Sequence, residues 1–169
     1  DCVQRFRGMF AFALWDRHQQ TLFLTRDRLG IKPLYYSLLP SGELLFGSEL
    51  KALLHHPQLP RKLDPRAVED YFAYGYVPEP KTILDGVHKL EPGYTLTISA
   101  DARSLPAPRQ YWDVPFAPVS VGGLAAAEDE MRERLREAVK IRLVAEVPLG
   151  AFLSGGVDSS AVVATMAGL

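Results

Sequence analysis

The chain has 169 residues, 47% of them hydrophobic, with 19 Lys and Arg against 20 Asp and Glu. This length fits one globular domain or two incomplete ones, and the composition argues against disorder or a coiled coil. The net charge of −1 gives no electrostatic basis for binding nucleic acid or an anionic membrane, and the single cysteine excludes an intrachain disulfide and a cysteine-based zinc site. Because the sequence has neither an apolar run of membrane-spanning length nor a signal-peptide pattern, we expect a cytoplasmic protein.

The first part of the chain predicts an antiparallel sheet. Segments 8–16 and 21–25 are strand-like and are joined by a polar turn, and 34–38 and 44–47 form a second pair around a Pro-Ser-Gly turn. Segment 8–16 has apolar residues on both faces, which indicates a strand that is buried on both sides.

Two helices follow these strands. Ser48 is placed to cap a short helix over 49–55, and Asp64 followed by Pro65 begins a helix that continues to about Tyr74. The aromatic residues near the end of this second helix are interpreted as core and domain-interface residues, since no basic stripe accompanies them as it would in a base-stacking surface. They are Tyr71, Phe72, Tyr74 and Tyr76.

The rest of the chain predicts a linker and the start of a parallel α/β domain. A turn and a strand occupy 90–99, and 100–123 is rich in Pro, Ala, Ser and Gly, which predicts a linker with a domain boundary near Pro115. An amphipathic helix over 124–143 comes next. Segments 147–153, 154–159 and 160–169 then predict an apolar strand, a glycine-containing loop and a buried helix, the order that opens a parallel α/β domain.

The segment Ser154–Ser160 (SGGVDSS) carries the strongest chemical signal. Its two glycines let the backbone approach an anion closely, and the amides of a loop and a helix N-terminus favour negative charge. Three serine hydroxyls add donors, so the segment predicts a phosphate cradle. Neither the Walker pattern nor the dinucleotide pattern G-x-G-x-x-G is present.

Asp158 is unusual in such a cradle, because a carboxylate repels phosphate. Two interpretations account for it and are compatible with each other. In the first, Asp158 is the N-cap of the following helix. In the second, it holds a Mg²⁺ that is shared with phosphate oxygens, directly or through water.

These blocks resemble known families. SGGVDSS resembles the pyrophosphate loop (SGGxDS) of the ATP pyrophosphatase superfamily, whose members cleave ATP between the α- and β-phosphates. GMFAFALWD at 8–16, RDRLGIKPLYY at 26–36 and FGSELKAL at 46–53 resemble the glutaminase domain of class II glutamine amidotransferases. Their order resembles the bacterial form of the glutamine-hydrolysing asparagine synthetase family.

The resemblance implies a fold and an activity. Residues 1–114 are expected to be the C-terminal part of an α+β N-terminal-nucleophile (Ntn) glutaminase domain with antiparallel sheets. Residues 115–169 are expected to open a parallel α/β adenylating domain. The implied enzyme is a carbon–nitrogen ligase that uses ATP and Mg²⁺ to form a β-aspartyl adenylate, which ammonia from glutamine converts to asparagine. Its implied partners are ATP, glutamine and aspartate, with a homodimer left open.

The resemblance assigns few residues. Leu153, through its backbone, and Ser154, Gly155, Gly156, Val157, Asp158, Ser159 and Ser160 match the ATP and pyrophosphate segment, with Asp158 as the Mg²⁺ ligand. Arg26, Asp27, Gly30 and Pro33 match a glutaminase motif to which we assign a structural role, with Arg26 and Asp27 forming a buried pair.

Cys2 is not the glutaminase nucleophile, since Asp1 precedes it and that role needs a free N-terminal amine; we expect it to be largely buried. Because the first residue is not Met and the chain stops within a predicted helix, we expect an interior piece of a longer protein that is inactive by itself.

Three alternatives stay open. Relatives with the same architecture amidate other carboxylates, for example in surface polysaccharides, or close a β-lactam ring. A non-catalytic scaffold or regulator is the second alternative. A tRNA-modifying pyrophosphatase is the third, although it does not account for the amidotransferase blocks.

Overall fold

The computed structural model describes residues 2–116 and 122–169. The chain divides into two compact units, Asp1–Pro115 (unit 1) and Phe116–Leu169 (unit 2). Among the helices of the described ranges, none is long and apolar enough to cross a lipid bilayer.

In the described part of unit 1 the strands form two antiparallel sheets. They are β1 (Ala11–Asp16), β2 (Thr21–Arg26), β3 (Tyr35–Leu38), β4 (Leu44–Gly47), β5 (His88–Lys89), β6 (Tyr94–Ser99) and β7 (Arg109–Gln110). The first sheet has the order β1-β2-β6-β7, and the second has the order β4-β3-β5. The sequence missed β5 and β7, which are two residues long and show no alternation of apolar and polar positions.

Both predicted strand pairs are confirmed. Strand β1 pairs with β2 from Ala11–Arg26 to Asp16–Thr21, and β3 pairs with β4 in the same antiparallel sense. The two pairs belong to different sheets, however, because β2 bonds along its other edge to β6 and β3 bonds to β5. The second neighbour of each hairpin comes from more than 50 residues away, and local sequence gives no sign of it.

Strand β1 begins at residue 11 and is not buried on both sides, contrary to the prediction. Ala13, Leu14 and Trp15 are exposed. Because β1 is the edge strand of its sheet in the described chain, the apolar residues of this strand are only partly covered.

Three helices lie in the part of unit 1 that the structure describes, namely α1 (Cys2–Arg5), α2 (Leu50–Leu54) and α3 (Pro65–Tyr74). Helix α3 begins as predicted, since an Asp64 side-chain oxygen accepts a hydrogen bond of 2.9 Å from the Arg66 amide and Pro65 takes the first helical position. Helix α2 has Glu49 rather than Ser48 at its N-cap position, without a side-chain cap bond.

Two apolar clusters form the core of unit 1. The first joins both sheets and consists of Leu24, Leu34, Tyr36, Leu90, Leu96 and Ile98. The second packs α2 against the second sheet and consists of Leu39, Leu53, Leu59, Leu84 and Val87. Burial of this apolar surface is the main favourable contribution to folding.

Cys2 lies on the surface, so its predicted burial is wrong. The aromatic residues near the end of α3 are also exposed, so the prediction that they are core residues is wrong, whereas their place at a domain interface stays a prediction. Cys2 is exposed because it begins the one-turn α1, whose buried residue is Val3. Tyr71, Phe72, Tyr74 and Tyr76 are all exposed, and the buried residue of α3 is Ala67.

Unit 2 contains α4 (Leu124–Lys140) and α5 (Val157–Ala167). The predicted strand at 147–153 is not shown, because this segment is irregular and no described segment of unit 2 forms a strand with which it could bond. Helix α5 begins at Val157 rather than Ser160 and has no buried residue, contrary to the buried helix predicted from its apolar sequence.

Candidate functional site

The predicted phosphate segment forms a loop that runs directly into α5. Gly155 has φ +80°, a left-handed conformation that non-glycine residues rarely adopt, and it redirects the chain between Ser154 and the helix. Gly156 follows at the N-cap position and has no side chain that could accept a bond from the helix amides. The sequence Gly-Gly therefore leaves the first turn of α5 open.

The first turn of α5 presents backbone donors to solvent. The amides of the first helical residues have no carbonyl four residues earlier within the helix, and no side chain caps this N-terminus in the described structure. Residues 154–158 are exposed and Ser159 is half-buried. Val157, Asp158 and Ser159 thus supply amides at the positive end of the helix dipole, an arrangement suited to an anion.

The three serines of the segment do not behave alike. The hydroxyl oxygens of Ser154 and Ser159 lie 2.9 Å apart and share a hydrogen bond, which brings the two ends of the loop together. The Ser160 hydroxyl instead donates to the Gly156 carbonyl oxygen at 2.8 Å. Its proton is therefore used within the helix, as is usual for serine in a helical turn.

Asp158 is the second residue of α5 and is not its N-cap. That position belongs to Gly156, so the capping interpretation is wrong. The exposed Asp158 carboxylate stabilises the N-terminal end of the helix through the dipole, and no hydrogen bond or ion pair joins it to another of the described residues.

The donor set at Asp158 fits a magnesium ion shared with phosphates. Among the described residues there is no group of three or more His, Cys, Asp or Glu side chains that would hold a metal by itself. Mg²⁺ commonly uses one or two carboxylates and completes its shell with phosphate oxygens and water. A single free carboxylate beside amides that favour phosphate is compatible with that arrangement.

The glutaminase-type motif of unit 1 is organised around Asp27. This carboxylate accepts four backbone hydrogen bonds, from the amides of Lys32 at 2.9 Å, Ile31 at 3.0 Å, Leu29 at 3.2 Å and Phe10 at 3.3 Å. Burial raises the pKa of Asp27, but the four N–H donors together outweigh it, and the pKa lies below its ordinary value. Asp27 is therefore an ionised, buried organiser of the 27–33 loop.

Arg26 holds the same loop through different partners. Its guanidinium donates to the carbonyl oxygens of Gly30 at 2.6 Å, Leu90 at 2.7 Å and Lys32 at 2.8 Å, and it lies 3.3 Å from a Glu79 carboxylate oxygen. The predicted structural role of the motif agrees with this geometry. The predicted pairing of Arg26 with Asp27 does not, because Arg26 binds carbonyls and Glu79 whereas Asp27 binds amides.

Sequence reasoning missed two further members of this network. Glu79 forms the ion pair with Arg26, and the Tyr111 hydroxyl donates to the Arg26 carbonyl oxygen at 2.8 Å. Both residues are more than 50 positions away from Arg26 along the chain. Nothing in their local sequence distinguishes them from surface residues, so the chain alone carries no signal for them.

Gly30 lies within this network, whereas Pro33 is exposed. Gly30 has φ +65°, and a Cβ at this position would lie 2.7 Å from Pro92 Cγ and 2.9 Å from Arg26 Nη2. The glycine is therefore required both for the backbone conformation and for the close approach of Arg26.

Comparisons with known proteins agree with the order of the two units. The family model described as "Glutamine amidotransferase domain" matches residues 1–112, and the one described as "Asparagine synthase" matches residues 130–169. "Asparagine synthetase [glutamine-hydrolyzing] 3" of Bacillus subtilis is 38% identical over 99% of this chain and 27% of its own length. "Asparagine synthetase [glutamine-hydrolyzing] 1" of the same organism is 36% identical over 96% of this chain and 25% of its own length.

A relative that is named as an amidase has about the same sequence identity to this chain. "Amidase chyE" of Penicillium rubens is 40% identical over 99% of this chain and 24% of its own length. The chain thus spans about a quarter to a third of the length of the curated relatives that it matches.

Proposed function

Because this chain belongs to the glutamine amidotransferase family and continues from residue 130 into the start of an asparagine synthase domain, we propose that it is part of a glutamine-hydrolysing asparagine synthase. In that reaction glutamine is hydrolysed to glutamate and ammonia at one site. At the other site the side-chain carboxylate of aspartate attacks the α-phosphorus of ATP, which forms β-aspartyl-AMP and releases pyrophosphate. Ammonia then displaces AMP to give asparagine.

The open N-terminus of α5 is the observation that carries the adenylating half of this proposal. We assign the amides of Val157, Asp158 and Ser159 to the β- and γ-phosphates and the Leu153 backbone to the nucleotide. These donors stabilise the negative charge that grows on pyrophosphate as it leaves, which is where electrostatic catalysis is most effective. Gly155 and Gly156 permit the approach, since neither of them brings a Cβ or a capping side chain to the N-terminal end of α5.

The serines and Asp158 have separate tasks in the proposed site. Ser154 and Ser159 hold the loop closed through their mutual hydrogen bond, and each hydroxyl keeps acceptor or donor capacity for a phosphate oxygen. Ser160 stabilises the first turn through Gly156. Asp158 would hold Mg²⁺, which when bound neutralises phosphate charge and orients the leaving group.

The glutaminase motif acts indirectly in this proposal. Arg26 and Asp27 fix the 27–33 loop through backbone groups, and their polar atoms are used in those contacts. We assign them to the support of the glutaminase domain and not to glutamine binding.

The similarity to a protein named as an amidase indicates that relatives differ in activity, and our second candidate is an enzyme of the same architecture that amidates another carboxylate. The two candidates share the phosphate loop and differ in the acceptor. We further propose that the full-length enzyme works in the cytoplasm with ATP, glutamine and aspartate as its small-molecule partners.

The test uses the protein expressed from its complete coding sequence and compares Asp158→Asn with Asp129→Asn. Asp129 is an exposed acidic residue of α4 that lies outside the loop and makes a surface ion pair with Arg132, so it is a matched control. We expect Asp158→Asn to lower Mg²⁺- and aspartate-dependent pyrophosphate release by about 100-fold or more. Glutamine hydrolysis should remain within about twofold of the wild-type rate, because no step of that reaction uses the loop.

Several outcomes would contradict the proposal. Equal loss of both activities would mean that Asp158 supports the fold rather than the phosphate site. An unchanged rate of pyrophosphate release would remove the assigned Mg²⁺ role. Pyrophosphate release with another carboxylic acid, and none with aspartate, would favour the second candidate.

A further inference from the structure

Lys89 is a partly buried amine that neither half of the proposed function uses. It lies in β5, directly opposite Tyr35 of β3, and its backbone amide donates to the Pro80 carbonyl oxygen at 2.8 Å. The side-chain Nζ donates to the Val77 carbonyl oxygen at 2.5 Å. These contacts hold both ends of the Lys89 side chain, so the amine needs little further ordering before it can react.

The Lys89 side chain lines a groove of about 480 Å³, a volume in the range of small-molecule sites. Leu50, Val77 and Ile83 supply aliphatic surface to this groove, and Tyr35 supplies an aromatic side chain. Because the Nζ atom is bonded to Val77, the amine lies at the wall of the groove. An apolar groove with a single amine at its wall is suited to a ligand with an apolar body and one group that reacts with an amine.

Thr82 also lines the groove, but its hydroxyl is engaged within the fold. The hydroxyl proton is directed to the carbonyl oxygens of Leu84 at 3.0 Å and Val87 at 2.9 Å, and the oxygen accepts the Leu84 amide at 3.1 Å. Thr82 is 2% exposed, so these bonds are not exchanged readily for bonds to a ligand. Thr82 therefore shapes the groove, and we assign the reactive group to Lys89.

The surroundings of Lys89 favour the neutral amine. Burial lowers the pKa of Lys89, Glu79 acts in the opposite sense, and the Arg26 guanidinium lowers the pKa further, so that it lies below its ordinary value. Glu79 is already paired with Arg26, since their charged atoms lie 3.3 Å apart. Desolvation and a neighbouring cation are the two influences that activate lysine amines as nucleophiles.

Two other lysines of unit 1 are in the opposite situation. The Lys62 Nζ lies 2.8 Å from an Asp85 carboxylate oxygen, and this hydrogen bond raises the pKa of Lys62. Lys81 pairs with the Asp70 carboxylate. A carboxylate in direct contact stabilises the ammonium form, which has no lone pair with which to attack a carbonyl carbon.

We propose that Lys89 forms a reversible imine with a small aromatic aldehyde bound in the groove, a reaction that lies beyond the proposed function. The neutral amine attacks the carbonyl carbon, a C–N bond forms, and the C=O π electrons move to the oxygen, which takes a proton from the nitrogen. The resulting carbinolamine loses water to form the C=N bond. One amine and one aldehyde thus yield one imine and one water molecule. The apolar walls of the groove hold the aromatic ring.

Reductive trapping tests this reaction in the protein expressed from its complete coding sequence. The protein is incubated near neutral pH with benzaldehyde and cyanoborohydride, which reduces the imine to a stable secondary amine. Mass spectrometry then quantifies each modified lysine at low conversion. We expect Lys89 to carry at least about five times as much benzyl label as Lys51 or Lys62, because it combines a more nucleophilic amine with a binding groove. Formaldehyde has no ring for the groove to hold, so it should lower this preference at least about twofold.

Lys89→Arg and Lys51→Arg form a matched pair of variants, since each keeps a positive charge and removes one amine. Lys51 is an exposed residue of α2. Lys89→Arg should remove most of the benzyl label at low conversion, whereas Lys51→Arg should remove little. Benzyl alcohol has the same ring but no carbonyl, so in the wild-type protein it should lower the labelling of Lys89 and leave that of Lys51 unchanged. This competition does not depend on the folding of a variant.

Four results would each overturn the proposal. They are labelling of Lys89 that does not exceed that of Lys51 and Lys62, the same preference with formaldehyde as with benzaldehyde, no effect of benzyl alcohol, and retention of the label in Lys89→Arg. Neither glutamine hydrolysis nor pyrophosphate release enters these measurements. Failure of this proposal is therefore distinguishable from failure of the proposed function.

Discussion

The buried carboxylate of Asp27 allows a stability prediction that can be worked from its contacts. Asp27 accepts four amide bonds of 2.9 to 3.3 Å with its two oxygens, two on each oxygen. In Asp27→Asn the side chain keeps one oxygen and has an NH₂ group in place of the other. This NH₂ group is a hydrogen-bond donor, and it would face two backbone amides that are donors as well. Two partly buried amides then lose their acceptor, at about 1–2 kcal/mol each, so Asp27→Asn should lower the free energy of unfolding by about 2–4 kcal/mol.

Urea unfolding followed by tryptophan fluorescence measures this change. The chain has two tryptophans, Trp15 and Trp112, and both belong to unit 1, so the signal reports the unit that contains Asp27. Asp85→Asn is the control, because Asp85 is an exposed carboxylate whose partner Lys62 is also exposed, and its midpoint should stay close to that of the wild type. A midpoint for Asp27→Asn as close to wild type as that of the control would refute the idea that this carboxylate organises the loop.

The acid dependence of the same variant gives a second check. The pKa of Asp27 is lower in the folded than in the unfolded protein, so its contribution is fully present above the unfolded pKa. That contribution declines below about pH 5 as the pH falls towards the folded value. The stability difference between the wild type and Asp27→Asn should therefore narrow in acid. A constant difference from pH 7 to pH 3 would show that ionisation of Asp27 is not the source of the stability.

Two further predictions concern a glycine and a histidine of unit 1. Gly30→Ala should destabilise the protein by about 1–2 kcal/mol because of the positive φ at this position. The new Cβ would also lie 2.7 Å from Pro92, which adds a steric cost. Gly86→Ala, where φ is +75° and the surrounding space is open, should show the cost of the positive φ alone. Equal urea midpoints for the two variants would remove the steric argument. Burial lowers the pKa of His88, so the unfolded chain binds the proton more readily and stability should fall as the pH drops below about 6.5. His88→Gln should flatten this dependence in urea titrations from pH 7.5 to 5.5, and an unchanged slope would assign it to other groups.

Local chemistry decided the elements that the sequence predicted correctly. The hairpin of β1 and β2, the pairing of β3 with β4, and the start of α3 at Asp64 each depend on residues within a few positions of one another. Turn residues, alternation and capping act over that range, which is why the chain alone is sufficient for them. The same holds for the phosphate segment, since two glycines and a helix start are adjacent in the chain. What that segment binds stays a prediction.

Tertiary structure decided how these pieces combine. The sequence could not separate the two sheets, because β2 meets β6 and β3 meets β5 through contacts between distant segments. It could not show that Asp27 accepts hydrogen bonds from backbone amides, whereas Arg26 donates to backbone carbonyls and pairs with Glu79. The partners of a buried charge are the groups that the fold brings within hydrogen-bond distance.

The apolar residues show the same division most clearly. Apolar sequence predicted core positions for the aromatic residues near the end of α3 and a buried last helix, yet these residues and α5 are exposed. Hydrophobicity predicts that an apolar surface favours leaving water, but it does not predict which other part of the protein will cover that surface. The sequence by itself determined the local elements and the motifs that identify the family. Burial, sheet order and the partners of each charge were decided by the tertiary structure, because they depend on which distant segments come into contact.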